Sequence, residues 1–239
     1  MATDENRNFP NGGFASQKSG PALGPRVGNT TGVGKRLPPA KREEEIVREA
    51  IQFFAQFGFE GQTRELAKRL NITQPLLYRY FPTKDALVER VYQEVFLRRW
   101  NPFWEELILD ETRPLNDRFV AFYVDYAQVI LTYEWIRLFM FAGLKGLDFN
   151  TRYLDLLKSK IFGVIINQLR TEYGRPTSDK LPITDLEIEA IWSLHASIFY
   201  LGVRKFIYQM PVGDLRSIVE MKVKMFVGGI SAVLAGEPV

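Results

Sequence analysis

Gln74, Pro75, Leu76, Tyr78 and Arg79 lie in one short stretch between Thr73 and Pro82, and their chemistry suits contact with the edges of bases. Arginine can bond a guanine edge with both arms, glutamine can bond adenine, and proline or leucine can touch a thymine methyl. The phenols of Tyr78 and Tyr80, with Lys84 just beyond, suit phosphate oxygens. At about 100° per residue, Leu77 and Phe81 share one helical face. That leaves Pro75, Leu76 and Arg79 pointing elsewhere, with the two tyrosines on the flanks. A merely solvated face would carry Glu, Lys or Gln instead.

Two short helices must hold this face. Thr63 can cap the first, Leu66, Ala67 and Leu70 recur at helical spacing, and Asn71-Ile72-Thr73 breaks it. Thr73 can cap the second, Pro75 is tolerated in a first turn, and Pro82 ends the segment. Thr83 and Lys84 then open another helix, whose N-terminal amides suit a phosphate. From Gly61 to Lys84 five basic residues (Arg64, Lys68, Arg69, Arg79, Lys84) face a single acid, Glu65, a local balance of +4. Leu66, Leu70, Ile72, Leu77 and Phe81 would also form the core of any three-helix domain, and Tyr78 and Tyr80 could be packed aromatics. The outward face favours nucleic acid as the partner.

The run from Ile46 to Val91, IVREAIQFFAQFGFEGQTRELAKRLNITQPLLYRYFPTKDALVERV, resembles the TetR family of transcriptional regulators, with GF, TRELA, LYRYF and PTKDAL falling in order. Only Gly61, Gln62 and Thr63 stand between Glu60 and Arg64, where many members have one residue more, and Leu76 stands where Thr or Gly is frequent. The resemblance implies an all-α chain with an N-terminal three-helix helix-turn-helix DNA-binding domain and a larger helical domain for ligand binding and dimerisation. Residue by residue, it implies that Gln74, Pro75, Tyr78 and Arg79 meet bases or nearby backbone. Thr63, Arg64, Tyr80 and Lys84 would position phosphates.

The 239 residues, 46% hydrophobic and 25% charged, suffice for one or two globular domains. With no cysteine, disulfides, thiolate catalysis and zinc-thiolate sites are excluded, and a cytoplasmic location is expected. MATDENRNFPNGG lacks a basic start followed by an apolar stretch, and no segment approaches about 18 uncharged apolar residues. Neither export nor a membrane span is expected. The net charge of +3 resides in residues 1–40, where Arg7, Lys18, Arg26, Lys35 and Arg36 outnumber Asp4 and Glu5. This Gly-, Pro- and Asn-rich stretch reads as a disordered basic tail. A solvated extension is favoured over a DNA-reaching arm because its basic residues form no dense cluster.

Residues 41–90 are then the DNA-binding domain and 91–239 the effector-binding and dimerisation domain. A first helix from Lys41 buries Ile46, Val47, Ala50, Phe53, Phe54 and Phe57 and stops at Gly58, and Glu43 to Glu45 near its start suit the helix dipole. A fourth helix runs from Thr83 towards Trp100. Further helices are expected near 102–109, 115–132, 134–145, 148–173, 184–209 and 214–235, punctuated by glycine and proline.

The larger region is rich in aromatics. The resemblance implies that it encloses a small apolar or aromatic effector, although an aromatic stripe is more often core. Trp104, Tyr126, Trp135, Arg137, Phe139 and His195 are the candidate effector residues. His195, the only histidine, cannot form a two-histidine metal site, and Ser193 points away from it at i−2. A core or interface histidine is favoured over a ligand. No metal, cofactor or catalytic residue is expected. The helices over 184–209 and 214–235 carry apolar residues on more than one face, and in relatives such pairs form a homodimer interface matching a palindromic operator. The expected function is a ligand-responsive repressor on a double-stranded DNA operator. The rival is an all-helical small-molecule-binding protein or enzyme without specific DNA binding.

Overall fold

A computed structural model describes residues 38–234, and every regular element among them is a helix. The tail expected over residues 1–40 lies, up to residue 37, outside the described residues. Helix α1 (Pro39–Phe57) opens with proline in its first turn, where a missing N–H costs nothing, and buries Ile46, Val47, Ala50, Ile51, Phe53 and Phe54. It stops at Gly58, whose φ of 74° suits glycine and whose N–H donates to the Phe54 carbonyl at 2.8 Å. Because α1 begins at Pro39, Glu43 to Glu45 lie beyond the first turn. Glu45 and Glu43 serve ion pairs instead, Arg42 to Glu45 at 2.6 Å and Arg90 to Glu43 at 3.8 Å. Phe57, expected in the buried stripe, is 52% exposed, with the Arg69 guanidinium 4.9 Å from its ring centre.

Helix α2 (Thr63–Arg69) packs on α1 and on α3 (Gln74–Tyr80), to which a tight turn joins it. Asn71 adopts φ 52°, and the Ile72 N–H reaches back to the Ala67 carbonyl at 3.0 Å, so the end of α2 closes on itself. Helix α4 (Lys84–Tyr92) is capped by the Thr83 hydroxyl, which accepts from the Ala86 N–H at 3.0 Å. It passes into a π-helical turn at Gln93–Leu97, ending before the expected Trp100. Leu66, Leu77, Phe81 and Leu87 complete the core under α1.

The larger body comprises α5 (Trp104–Leu109), α6 (Leu115–Ile130), α7 (Tyr133–Lys145), α8 (Phe149–Leu157), α9 (Gly163–Glu172), α10 (Asp185–Phe206) and α11 (Leu215–Leu234), with a π-helical turn, Lys158–Phe162, between α8 and α9. Helix α6 packs on α5 and α11, and α10 lies between α11 and α7. At Gly202 a Cβ would sit 2.5 Å from Ile136 Cδ1 and 2.8 Å from Leu131 Cδ2, so a side chain there would have to displace those two residues where α10 meets the start of α7. The Thr184–Glu187 capping box opens α10, and the same Glu187 carboxylate takes both arms of Arg170 at 2.7 Å.

One core spans the whole helical assembly. Phe149 of α8 meets Phe59 at 5.7 Å and Tyr92 of α4 at 4.6 Å between ring centres, and Phe96 meets Trp135 of α7 at 5.0 Å. No helix among the described residues is long and apolar enough to cross a membrane.

Candidate nucleic-acid interface

Helix α3 is organised by its ends. The Thr73 hydroxyl accepts from the Leu76 N–H at 3.3 Å, and Pro75 sits in the first turn. Leu77 turns inward and is buried; Pro75, Tyr78 and Arg79 are exposed, and Gln74, Leu76 and Tyr80 are half-buried. Arg64 is exposed on α2, and Lys84 is half-buried at the start of α4. Among the described residues, none of Arg64, Arg79 and Lys84 enters an ion pair.

The local excess of positive charge is redistributed by the fold. Lys68 turns back to Glu65 at 2.9 Å, and Arg69 bonds Gln56 at 2.6 Å, approaches Glu49 at 3.6 Å and stacks over Phe53 and Phe57. The unpaired cations around α3 are therefore Arg64, Arg79 and Lys84.

Thr63 is placed differently from what its capping role suggests. Gln62 occupies the N-cap position of α2, and Thr63 is 7% exposed. Its hydroxyl lies 3.0 Å from the Tyr78 hydroxyl and accepts from the Gln74 side-chain amide at 3.1 Å. One buried oxygen thus holds two side chains of α3.

The six interior candidates divide into three groups. Trp104 lies 5.1 Å from Tyr126 between ring centres, and Tyr126 lies 5.3 Å from His195. Trp135 stacks on Phe139 at 4.8 Å. Tyr153, which the sequence analysis did not single out, links these pairs: its ring meets Trp135 at 5.2 Å and its hydroxyl donates to that of Tyr126 at 3.3 Å. The i, i+4, i+8 stripe of Phe149, Tyr153 and Leu157 was the available signal. Arg137 stands apart. Its guanidinium donates to the Ala55 carbonyl and to that of Gln56 at 3.3 Å, satisfying the last turn of α1 from α7.

Burial shapes the electrostatics of this interior. It raises the phenols of Tyr123, Tyr126 and Tyr153 above the ordinary tyrosine range and lowers the His195 imidazole to about 4, so that all four are neutral near pH 7. The Tyr123 hydroxyl and the Trp135 indole nitrogen are buried with no hydrogen-bond partner among the described residues. Helices α4 and α8 are tied by Arg152, which grips both oxygens of Glu89 at 2.9 Å and lies 4.1 Å above the Tyr92 ring. The guanidinium bonds hold Glu89 below the usual carboxylate range despite its partial burial.

Residues 46–91 match the family described as bacterial regulatory proteins, tetR family. No curated protein matches the chain. Solved structures share the fold. AmtR of Mycobacterium smegmatis is 18% identical with a TM-score of 0.58, covering 85% of this chain and 98% of that one. A TetR-like regulator from Rhodococcus sp. RHA1 is 18% identical with a TM-score of 0.57, covering 84% and 100%. A tetR-family regulator from Streptomyces coelicolor is 17% identical with a TM-score of 0.57, covering 84% and 92%. Residues 46–91 thus carry the helix-turn-helix region of the tetR family of bacterial regulatory proteins, and the chain has the fold of the solved TetR-type regulators.

Proposed function

We propose that this protein is a non-enzymatic, ligand-responsive repressor that binds a palindromic operator as a homodimer. The observation that carries the reading is the outward face of α3. Pro75, Tyr78 and Arg79 are exposed there between the unpaired cations Arg64 and Lys84, while nearby Lys68 and Arg69 are turned aside. Arg79, Gln74, Pro75 and Leu76 read base edges, and Arg64, Tyr80 and Lys84 position phosphates. Residues 41–90 act as the reading domain and 91–239 as the effector and dimer domain.

Support for the dimer comes from the outer faces of α10 and α11. Tyr200, Met221 and Met225 are exposed there, Met225 at 70%, and a Cβ at Gly228 or Gly229 would meet nothing within 4 Å. Such a stripe suits close approach by a second copy. The reading of an apolar or aromatic effector rests on the aromatic interior of Trp104, Tyr126, Trp135, Phe139 and His195, where the Tyr123 hydroxyl and the Trp135 indole nitrogen have no partner among the described residues. The ligand acts by binding the DNA-incompetent spacing of the two α3 helices better than the competent one, because equal affinity for both shifts nothing.

The test is selection of duplexes from a random pool, at two salt concentrations, with the wild type and Arg79→Ala. Recovery of an inverted repeat, with Arg79→Ala weakening it by about 1–3 kcal/mol and relaxing a symmetric pair of positions, supports the reading. Sequence-blind, salt-sensitive binding alone refutes it.

A further inference from the structure

We infer that Arg137 sets the half-site spacing this protein accepts, by holding the end of α1 and with it the angle at which each reading head leaves the body. The inference rests on the proposed dimeric reading of a palindrome. Tyr133, Arg137 and Phe141 recur at every fourth residue of α7 and form a ridge facing α1. The Arg137 guanidinium lies over both rings, 5.3 Å from the centre of Tyr133 and 5.0 Å from that of Phe141. From there its Nε donates to the Ala55 carbonyl and its Nη2 to that of Gln56 at 3.3 Å. Phe141 packs against the turn that ends α1, for a Cβ at Gly58 would meet its ring at 3.2 Å.

Other contacts cross the same junction but fix direction less. Gln52 to Glu134 at 2.8 Å and Lys145 to Glu60 are exposed pairs, which hold little. The seam of Phe59, Phe149 and Tyr92 is apolar, and apolar burial is non-directional. Arg152 grips Glu89 with both arms, but it holds α4 and not α1. Without Arg137 the firm directional hold on the head is at α4 alone, and the head can rock about it. Such rocking reaches the reading face, because the Gln56 side chain accepts from Arg69 of α2 at 2.6 Å and α2 packs on α3. One added base pair moves a half-site by about 3.4 Å and turns it by about 35°, so heads held at a fixed angle reject the wrong spacing. Arg137 is accordingly a positioning residue that acts through α1.

Two measurements test the inference. The chain has no cysteine, so Arg48→Cys on the exposed side of α1 places one nitroxide label on each head, and dipolar electron resonance reads the label-to-label distance in the dimer. The otherwise wild-type protein should give a narrow distribution. Arg137→Met, which keeps the stem and removes the donors, should broaden it. The operator recovered by duplex selection is then rebuilt with one base pair added to or removed from its centre. The wild type should lose affinity by at least roughly tenfold on either change, as for a wrong base pair. Arg137→Met should discriminate among the three spacings by no more than about threefold, with its base preferences inside each half-site as in the wild type.

Ile165→Val, a small loss of core packing on α9, controls for general loosening and should leave both readouts in place. Melting temperatures show whether each variant is folded. If Arg137→Met is not, Arg137→Lys, which keeps the charge and loses the planar fork, takes its place with the same outcomes. The inference fails if the distance distribution keeps its width, if the variant weakens all three spacings alike, or if Ile165→Val broadens the distribution as much. A wild type that gives no label-to-label distance, or selects no inverted repeat, refutes the dimeric reading itself, an outcome distinct from a spacing preference that Arg137→Met leaves unchanged.

Discussion

Replacing Arg170 by methionine should be among the most damaging single changes available in the body, and its magnitude follows from what the guanidinium holds. Arg170 is 2% exposed. It gives both arms to Glu187 at 2.7 Å, and its remaining hydrogens go to the carbonyls of Leu181, of Pro182 at 3.0 Å and of Pro176 at 3.3 Å. Methionine fills the stem's volume but leaves a buried carboxylate unpaired. Breaking a buried pair in this way costs about 3–5 kcal/mol, whereas the loop carbonyls can turn to water. For a protein of this size that corresponds to a melting temperature roughly 6–20 °C lower.

The pH dependence gives a second check. Burial pushes Glu187 up, but the bonds from Arg170 and Thr184 outweigh it and hold the carboxyl below the usual range. A carboxylate with a depressed folded pKa stabilises above its unfolded pKa and loses that stabilisation as pH falls through the folded value. Without Arg170 only the upward push of burial and the Thr184 bonds remain, so the gap between variant and wild type should narrow from pH 7 towards acid. Adding Glu187→Gln to Arg170→Met should recover part of the loss. Calorimetry at neutral and acid pH measures both effects. A melting temperature within about 2 °C of the wild type, or a gap indifferent to pH, would falsify the argument.

Gly202→Ala should destabilise by about 1–3 kcal/mol, because the new methyl meets Ile136 and Leu131 in a packed helix crossing, and urea unfolding reads the loss as a lower midpoint at unchanged slope. Burial of His195 against Tyr126, Phe162 and Trp192 lowers its pKa from 6.5 to about 4. The unfolded chain therefore binds the extra proton first: stability is full above about pH 6.5 and declines by roughly 3 kcal/mol towards pH 4. His195→Asn should remove that part of the decline, and equal slopes for the two proteins would contradict the assignment.

Helix α3 was legible because its signals are local. Thr73, Pro75 and Pro82 delimit α3 whatever surrounds it, and Leu77 and Phe81 declare its inner face by spacing alone. The helices of the body were likewise marked by their glycines and prolines, with ends within a few residues of those expected. Features that depend on how helices cross were not legible. The Glu65–Lys68 pair at i, i+3 is local, but nothing along the chain says that Arg69 turns to Gln56 and Glu49 of α1, so a simple sum of charges overstated the positive surface beside α3. The Thr63 hydroxyl faces inward because α3 crosses α2 there, and Arg137 turns to the end of α1 because those carbonyls lie beside α7. Tyr153 gains its place between Tyr126 and Trp135 only once α6, α7 and α8 are assembled.

The aromatic seam that runs from Phe59 and Tyr92 through Phe149 to Phe96 and Trp135 bears on how such a protein can be recombined. A reading head transplanted at residue 92 would leave Phe149 without the rings that cover it and strip the end of α1 of the Arg137 donor. A working chimera must therefore be cut along the packing and not along the sequence, carrying Arg137, Phe149 and Arg152 with the head although they lie some fifty residues downstream. Under the proposed reading, exchange of operator preference between relatives is then easier by substitution on α3 than by swapping whole heads.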